Sequence, residues 1–176
     1  MPQLPTVKVN RAPVLTLWAA VVAERLGFDP DAALTLGRAV AGLNAYSKGV
    51  ALGIIQPSEL TARRERARQG EALQVDLLRR AVPVVRTPEG VRALAKGRPI
   101  SPTSVEKYLA SKFGDALDEV REAMVRLARS LPPEDLALRA YGLYEEFRPA
   151  VPAGERGWGA AGVLDLARLE ALARSR

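Results

Sequence analysis

Apolar and polar positions run along this chain in more than one rhythm, and the first stretch they mark is the least polar. From Pro13 to Leu26 the apolar positions are Val14, Leu15, Leu17, Trp18, Ala19, Ala20, Val21, Val22, Ala23 and Leu26. A helix apolar nearly all round belongs inside a core. Pro13 suits a first helical position, and Gly27 suits a left-handed stop after the last turn. A second helix opens at Asp29 or Asp31 and carries Ala33, Gly37, Ala41, Ala45 and Gly49 at every fourth position. Residues four apart stack along one helix face, so this ladder predicts a close neighbour, assigned here to the Trp18 helix. Glycine inside a helix costs about 1 kcal/mol against alanine, so Gly37 and Gly42 both call for a packing reason.

Elsewhere the pattern is more broken. Thr6-Val7-Lys8-Val9 alternates like a short strand. Gln56-Pro57 interrupts the chain, and a helix from Ser58 to about Gln69 has only Leu60, Ala62 and Ala67 as apolar positions. Beta-rich pieces near Leu73–Val75 and Val82–Arg86 flank one expected turn of helix, and Pro83 restricts the second to a sheet edge. Pro88 opens an expected short helix, PEGVRALAKG, ending at Gly97. Ser101 caps the next helix, with Pro102 at its first position, and Val105, Tyr108, Leu109, the stem of Lys112 and Phe113 form its inner face. Leu117, Val120, Met124, Leu127 and Leu131 then follow a four-three spacing, the narrow seam of a coiled coil. Pro132-Pro133 forces a turn into a helix over 134–147, the expected partner of that seam, with residual apolar surface left for a symmetric dimer. A proline- and glycine-rich loop precedes a last amphipathic helix from Val163 to Ala173.

These elements predict a mainly α protein: a compact multi-helix domain around a buried N-terminal helix pair, with a few short strands in the first hundred residues. One domain over 1–176 is expected. It subdivides into a helical core (1–70), a helix-turn-helix-like region (71–131) and C-terminal helices (132–176).

Composition narrows the chemistry. The chain has neither cysteine nor histidine, which removes thiolate chemistry, the commonest general base and the commonest metal ligand. A non-enzymatic protein without metal or cofactor is expected. Lys8 and Arg11 before VLTLWAAVVA imitate a secretory signal, but the run continues amphipathically into Glu24 and Arg25 and is too short to span a bilayer. A cytoplasmic protein is the expectation, with no membrane partner. The net charge of +6 sits almost wholly in residues 56–98, which hold ten basic groups against five acidic ones. Such a segment points to a polyanion.

Two stretches carry that expectation. Arg63, Arg64, Arg66 and Arg68, joined by Arg79 and Arg80, form the densest basic cluster, and arginine forks match phosphate bidentately. A solvated helix face accounts for the same run. Ile100-Ser101-Pro102-Thr103-Ser104-Val105-Glu106-Lys107-Tyr108-Leu109 resembles the recognition half of a helix-turn-helix, in regulators whose second helix reads I-S-x-x-[TS]-V-x-x-[HY]-L. The resemblance implies that a capped first turn meets phosphates and base edges while a valine and a leucine anchor the helix. A capped structural helix is the other reading of those residues. The expected nucleic-acid contacts are therefore Arg63, Arg64, Arg66, Arg68, Arg98, Ser101, Thr103, Ser104 and Lys107. The alternative function is a structural or protein–protein interaction domain, a homodimer without nucleic acid.

Other patterns are weaker. Gly157-Trp158-Gly159-Ala160-Ala161-Gly162 matches G-x-G-x-x-G, yet a dinucleotide fingerprint also needs a strand before it, a helix after it and an acid about 20 residues on. Ser104 and Lys107 make an isolated S-x-x-K. Asp115, Asp118, Glu119 and Glu122 share a helical face, where first-turn acids suit the helix dipole. Asn44, Tyr46, Ser47 and Lys48 gather polar groups at the end of the second helix.

Overall fold

A computed structural model describes residues 6–51, 73–150 and 162–175, and the side chains of these except 45–51. The protein is mostly helical, with short strands in two small sheets. The expected helix over 58–69 lies outside the described residues.

Helix α1 (Arg11–Arg25) is buried without interruption from Pro13 to Ala23. It ends as its glycine predicts: Gly27 has φ +112°, Gly27 N donates to Glu24 O and Phe28 N to Ala23 O, a Schellman closure. Helix α2 (Pro30–Ala51) starts from Asp29, whose carboxylate accepts from Ala32 N. A Cβ placed on Gly37 would collide with the Thr16 carbonyl oxygen and sit 2.9 Å from Ala20 N, so α1 and α2 meet backbone to backbone there. Gly42 is different. It is exposed, and no described atom stands within 4 Å of where its Cβ would be. The two helices are thus unequally buried: α1 is enclosed, whereas α2 turns Asp31, Arg38 and Gly42 outward.

Strands β1 (Thr6–Lys8) and β6 (Val163–Asp165) pair antiparallel and bring the two ends of the described chain together. The expected last helix accordingly begins later, as α6 (Leu166–Arg174), capped by the Asp165 carboxylate.

The second sheet is an antiparallel meander of β2 (Leu73–Leu77), β3 (Arg80–Thr87), β4 (Gly90–Ala95) and β5 (Arg98–Pro99). It overturns three local expectations. Between β2 and β3 stands a two-residue turn, Leu78-Arg79, rather than a turn of helix, and both residues have positive φ (48° and 63°). Such a turn normally takes asparagine and glycine. Here Leu78 is only 2% exposed, and burying a leucine contributes about 1.5–3 kcal/mol against a left-handed cost of roughly 1–2. Pro83 lies in an inner strand, not at an edge. The β3–β4 register ends at Val84–Ala93, one residue short of it, so its missing N–H interrupts no ladder on that side. The segment PEGVRALAKG is strand, not helix. Thr87-Pro88-Glu89-Gly90 makes a tight turn closed by Thr87 Oγ1 donating to Gly90 O at 2.8 Å. Gly97 is left-handed (φ 77°) as a helix stop would be, yet with Lys96 (φ 53°) it forms the β4–β5 hairpin turn.

This sheet docks on α2. Val82, Val84, Ala93, Leu77 and Leu78 are buried against the helices, and Ala93 N donates to the fully buried Thr35 Oγ1 at 3.0 Å. Helix α3 (Pro102–Phe113), a 3-10 turn (Gly114–Ala116), α4 (Leu117–Arg129) and α5 (Pro133–Phe147) follow. The seam residues Leu117, Val120, Met124, Leu127 and Leu131 are all buried. Their principal partners are α1 and α6, not the 133–147 helix, which packs on α1 instead. Trp18 fixes that second contact, donating Nε1 to Ala140 O at 2.9 Å and meeting Phe147 edge-on. Because the seam is covered inside the chain, it leaves no apolar stripe for a second copy.

Candidate nucleic-acid interface

The β4–β5 hairpin delivers the chain to α3 in a fixed position. Ile100 N donates to Ala93 O, Ser101 Oγ accepts from Ser104 N at 3.3 Å, and Pro102 occupies the first turn. Val105, Leu109 and Phe113 then bury one side of the helix. The opposite side carries Thr103, Ser104, Lys107 and Ser111, all exposed. Arg98 and Ser101, just before the helix, are exposed as well. Five of the nine expected contacts therefore gather at one end of α3. The other four, Arg63, Arg64, Arg66 and Arg68, lie outside the described residues.

The charge around α3 is sorted. Its one acid, Glu106, is turned to the flank and held by Arg121 through two hydrogen bonds of 3.1 and 3.2 Å. Arg98 and Lys107 form no ion pair among the described residues. The helix-turn-helix resemblance holds for this helix alone, since a β-hairpin stands where the first helix would be. Ser104 and Lys107 make no hydrogen bond to each other.

On the other flank of α3 is a group that the sequence pattern assigned to the core. Tyr108 is only half-buried, and the Arg38 guanidinium from α2 lies over its ring, 4.5 Å from the centroid. Lys112 stands 6.0 Å from the same centroid, and both cations are exposed. Burial raises the Tyr108 hydroxyl above its ordinary pKa, against the opposing pull of Arg38, so the ring is neutral at physiological pH. No sequence signal joins residues 38 and 108, because only the α2–α3 packing brings them together.

A second polar junction lies at the far end of α2. Asn44, one of the polar groups gathered near the end of the second helix, is buried, and its Oδ1 accepts from Arg80 Nη2 at 2.7 Å and Tyr141 OH at 3.3 Å. Arg79 lies over the Tyr141 ring at 5.1 Å. These contacts tie the left-handed β2–β3 turn to α2 and α5. Arg92, also buried, donates to Val91 O at 2.8 Å and faces Asp31 at 3.9 Å, which pins β4 to the start of α2.

A cleft of about 270 Å³ opens between α1, α2, α3 and α4, with Leu17, Ala20, Val21, Pro30 and Leu34 as its apolar wall. Glu24, Glu106 and Arg121 complete its lining, two acids to one base, which does not suit a phosphate. Among the described residues no three acids converge on a metal position, Asp115, Asp118, Glu119 and Glu122 included, and Arg126 pairs with Glu170 of α6. Of the G-x-G-x-x-G run only Gly162 is described. A strand rather than a helix follows it, and a Cβ there would stand 2.7 Å from that of Pro149. No helix among the described residues is long and apolar enough to cross a membrane. Comparison with models of known families, with curated proteins and with solved structures finds no match to this chain.

Proposed function

We propose that the protein is a non-catalytic, cytoplasmic nucleic-acid-binding protein that holds phosphates at the start of α3, through Arg98, Ser101, Thr103, Ser104 and Lys107. The observation that supports this most directly is the separation of charge on α3: an outward face of hydroxyls and a lysine without acids, and the single glutamate turned aside and neutralised by Arg121. A helix start also favours anions through its dipole and open amides. Arg63, Arg64, Arg66 and Arg68 remain expected phosphate contacts in this proposal. Binding of this kind is electrostatic and tolerant of sequence, so each lost phosphate contact lowers the salt slope by about one unit.

The test is retention of mixed-sequence DNA and RNA at low salt by the parent and by the double variant Arg98→Glu, Lys107→Glu. Both side chains are exposed, so the variant should melt as the parent does and lose retention. Equal retention by a folded double variant would reject the assignment. A homodimeric interaction domain is the weaker reading, because the seam that suggested it is covered by α1 and α6.

A further inference from the structure

Nucleic acid offers a protein both phosphates and bases, and the Arg38–Tyr108 corner is suited to the second. Arg38 lies with its guanidinium over the Tyr108 ring, is exposed, and makes no ion pair among the described residues. The guanidinium carbon stands 4.5 Å from the ring centroid, and the exposed side chain leaves part of the cation open to a ligand. A guanidinium plane stacks on a nucleobase as an aromatic ring does. Lys112 beside the ring supplies an ammonium group for a neighbouring phosphate. Gly42 follows Arg38 by four residues on the same side of α2, where no described atom covers the helix backbone. Glycine is disfavoured inside a helix, and no packing contact with a described residue explains this one, but a missing side chain lets a ligand approach the backbone closely.

We infer that this corner is a stacking subsite for an unpaired base, with Tyr108 as floor and Arg38 as platform, so that the protein prefers single-stranded nucleic acid to duplex. The inference rests on the nucleic-acid reading above and adds a strand preference that phosphate contacts alone do not supply. A duplex keeps its bases stacked inside, so it gains nothing from the platform.

The probe is a fluorescently labelled mixed-sequence DNA oligonucleotide, single-stranded or annealed to its complement, titrated at low salt with the full chain. The variant is Arg38→Lys, which keeps the charge and removes the plane, with melting followed to confirm folding. The parent should bind the single strand more tightly, and Arg38→Lys should weaken that binding about tenfold while leaving duplex affinity unchanged. Equal parent affinity for the two forms, or an Arg38→Lys protein that keeps the parent's single-strand affinity, overturns the subsite. If Arg98→Glu with Lys107→Glu still abolishes binding in that case, the phosphate surface stands and only the base subsite falls. A parent that binds neither form removes both.

Discussion

The two faces of α2 each carry a glycine, and the two glycines have opposite surroundings. Gly37 looks inward, where the α1 backbone leaves no room for even one carbon. Gly42 looks outward beside Arg38, with no described atom in reach. The same conformational cost of about 1 kcal/mol is therefore explained on one side by packing and on the other by no described residue. Around Gly37 the side chains are small and apolar, and their job is to let two helices touch. One turn before Gly42 stands Arg38, over the ring of the half-buried Tyr108 and near the exposed Lys112, and neither cation forms an ion pair among the described residues. One face of α2 serves the fold; at Gly42 the other meets no described residue, and in the proposed reading it serves a partner.

The contrast breaks most sharply at Gly37. Gly37→Leu should destabilise the protein by about 3 kcal/mol, the upper end for overpacking, because backbone atoms rather than a flexible side chain stand in the way. Urea unfolding would measure it, and an unchanged midpoint would mean that the helices do not meet as described. Thr35 tests the same face more gently. Thr35→Val keeps the shape but removes the acceptor for the buried Ala93 N–H, which should cost about 1–3 kcal/mol in the same assay. On the outer face, Gly42→Leu should leave stability unchanged or raise it by up to about 1 kcal/mol, since leucine favours helix and the space is open.

The inner face was legible in the sequence and the outer one was not, for a physical reason. The apolar run of α1, Pro13 and Gly27 are local signals of an enclosed helix, and the spacing of Ala33, Gly37 and Ala41 is a local signal of close approach. Each is readable because helix periodicity ties neighbours four apart to one face. Residues 88–97 misled because their local signals fit two structures. Pro88 suits a helix start and a tight turn alike, and Gly97 meets its left-handed requirement as a helix stop or in a hairpin. The sheet won because Ala93 and Val84 are buried in register and Thr35 accepts from the strand, a contact 58 residues long in sequence. The partner of the Leu117–Leu131 seam was misassigned for a related reason: a narrow stripe fixes that something must cover it, not which helix does. Within the candidate site, Ser101, Thr103, Ser104 and Lys107 were legible from a cap and a spacing. Arg38 was not, because its role depends on a ring 70 positions away.

The claim that the outer face of α2 serves a partner is tested most directly by one protein, Gly42→Leu, with single-strand oligonucleotide affinity measured against the parent at low salt. A leucine on the bare backbone beside Arg38 should reduce affinity about tenfold or more while the melting temperature holds or rises. Unchanged affinity in a folded Gly42→Leu protein would contradict it.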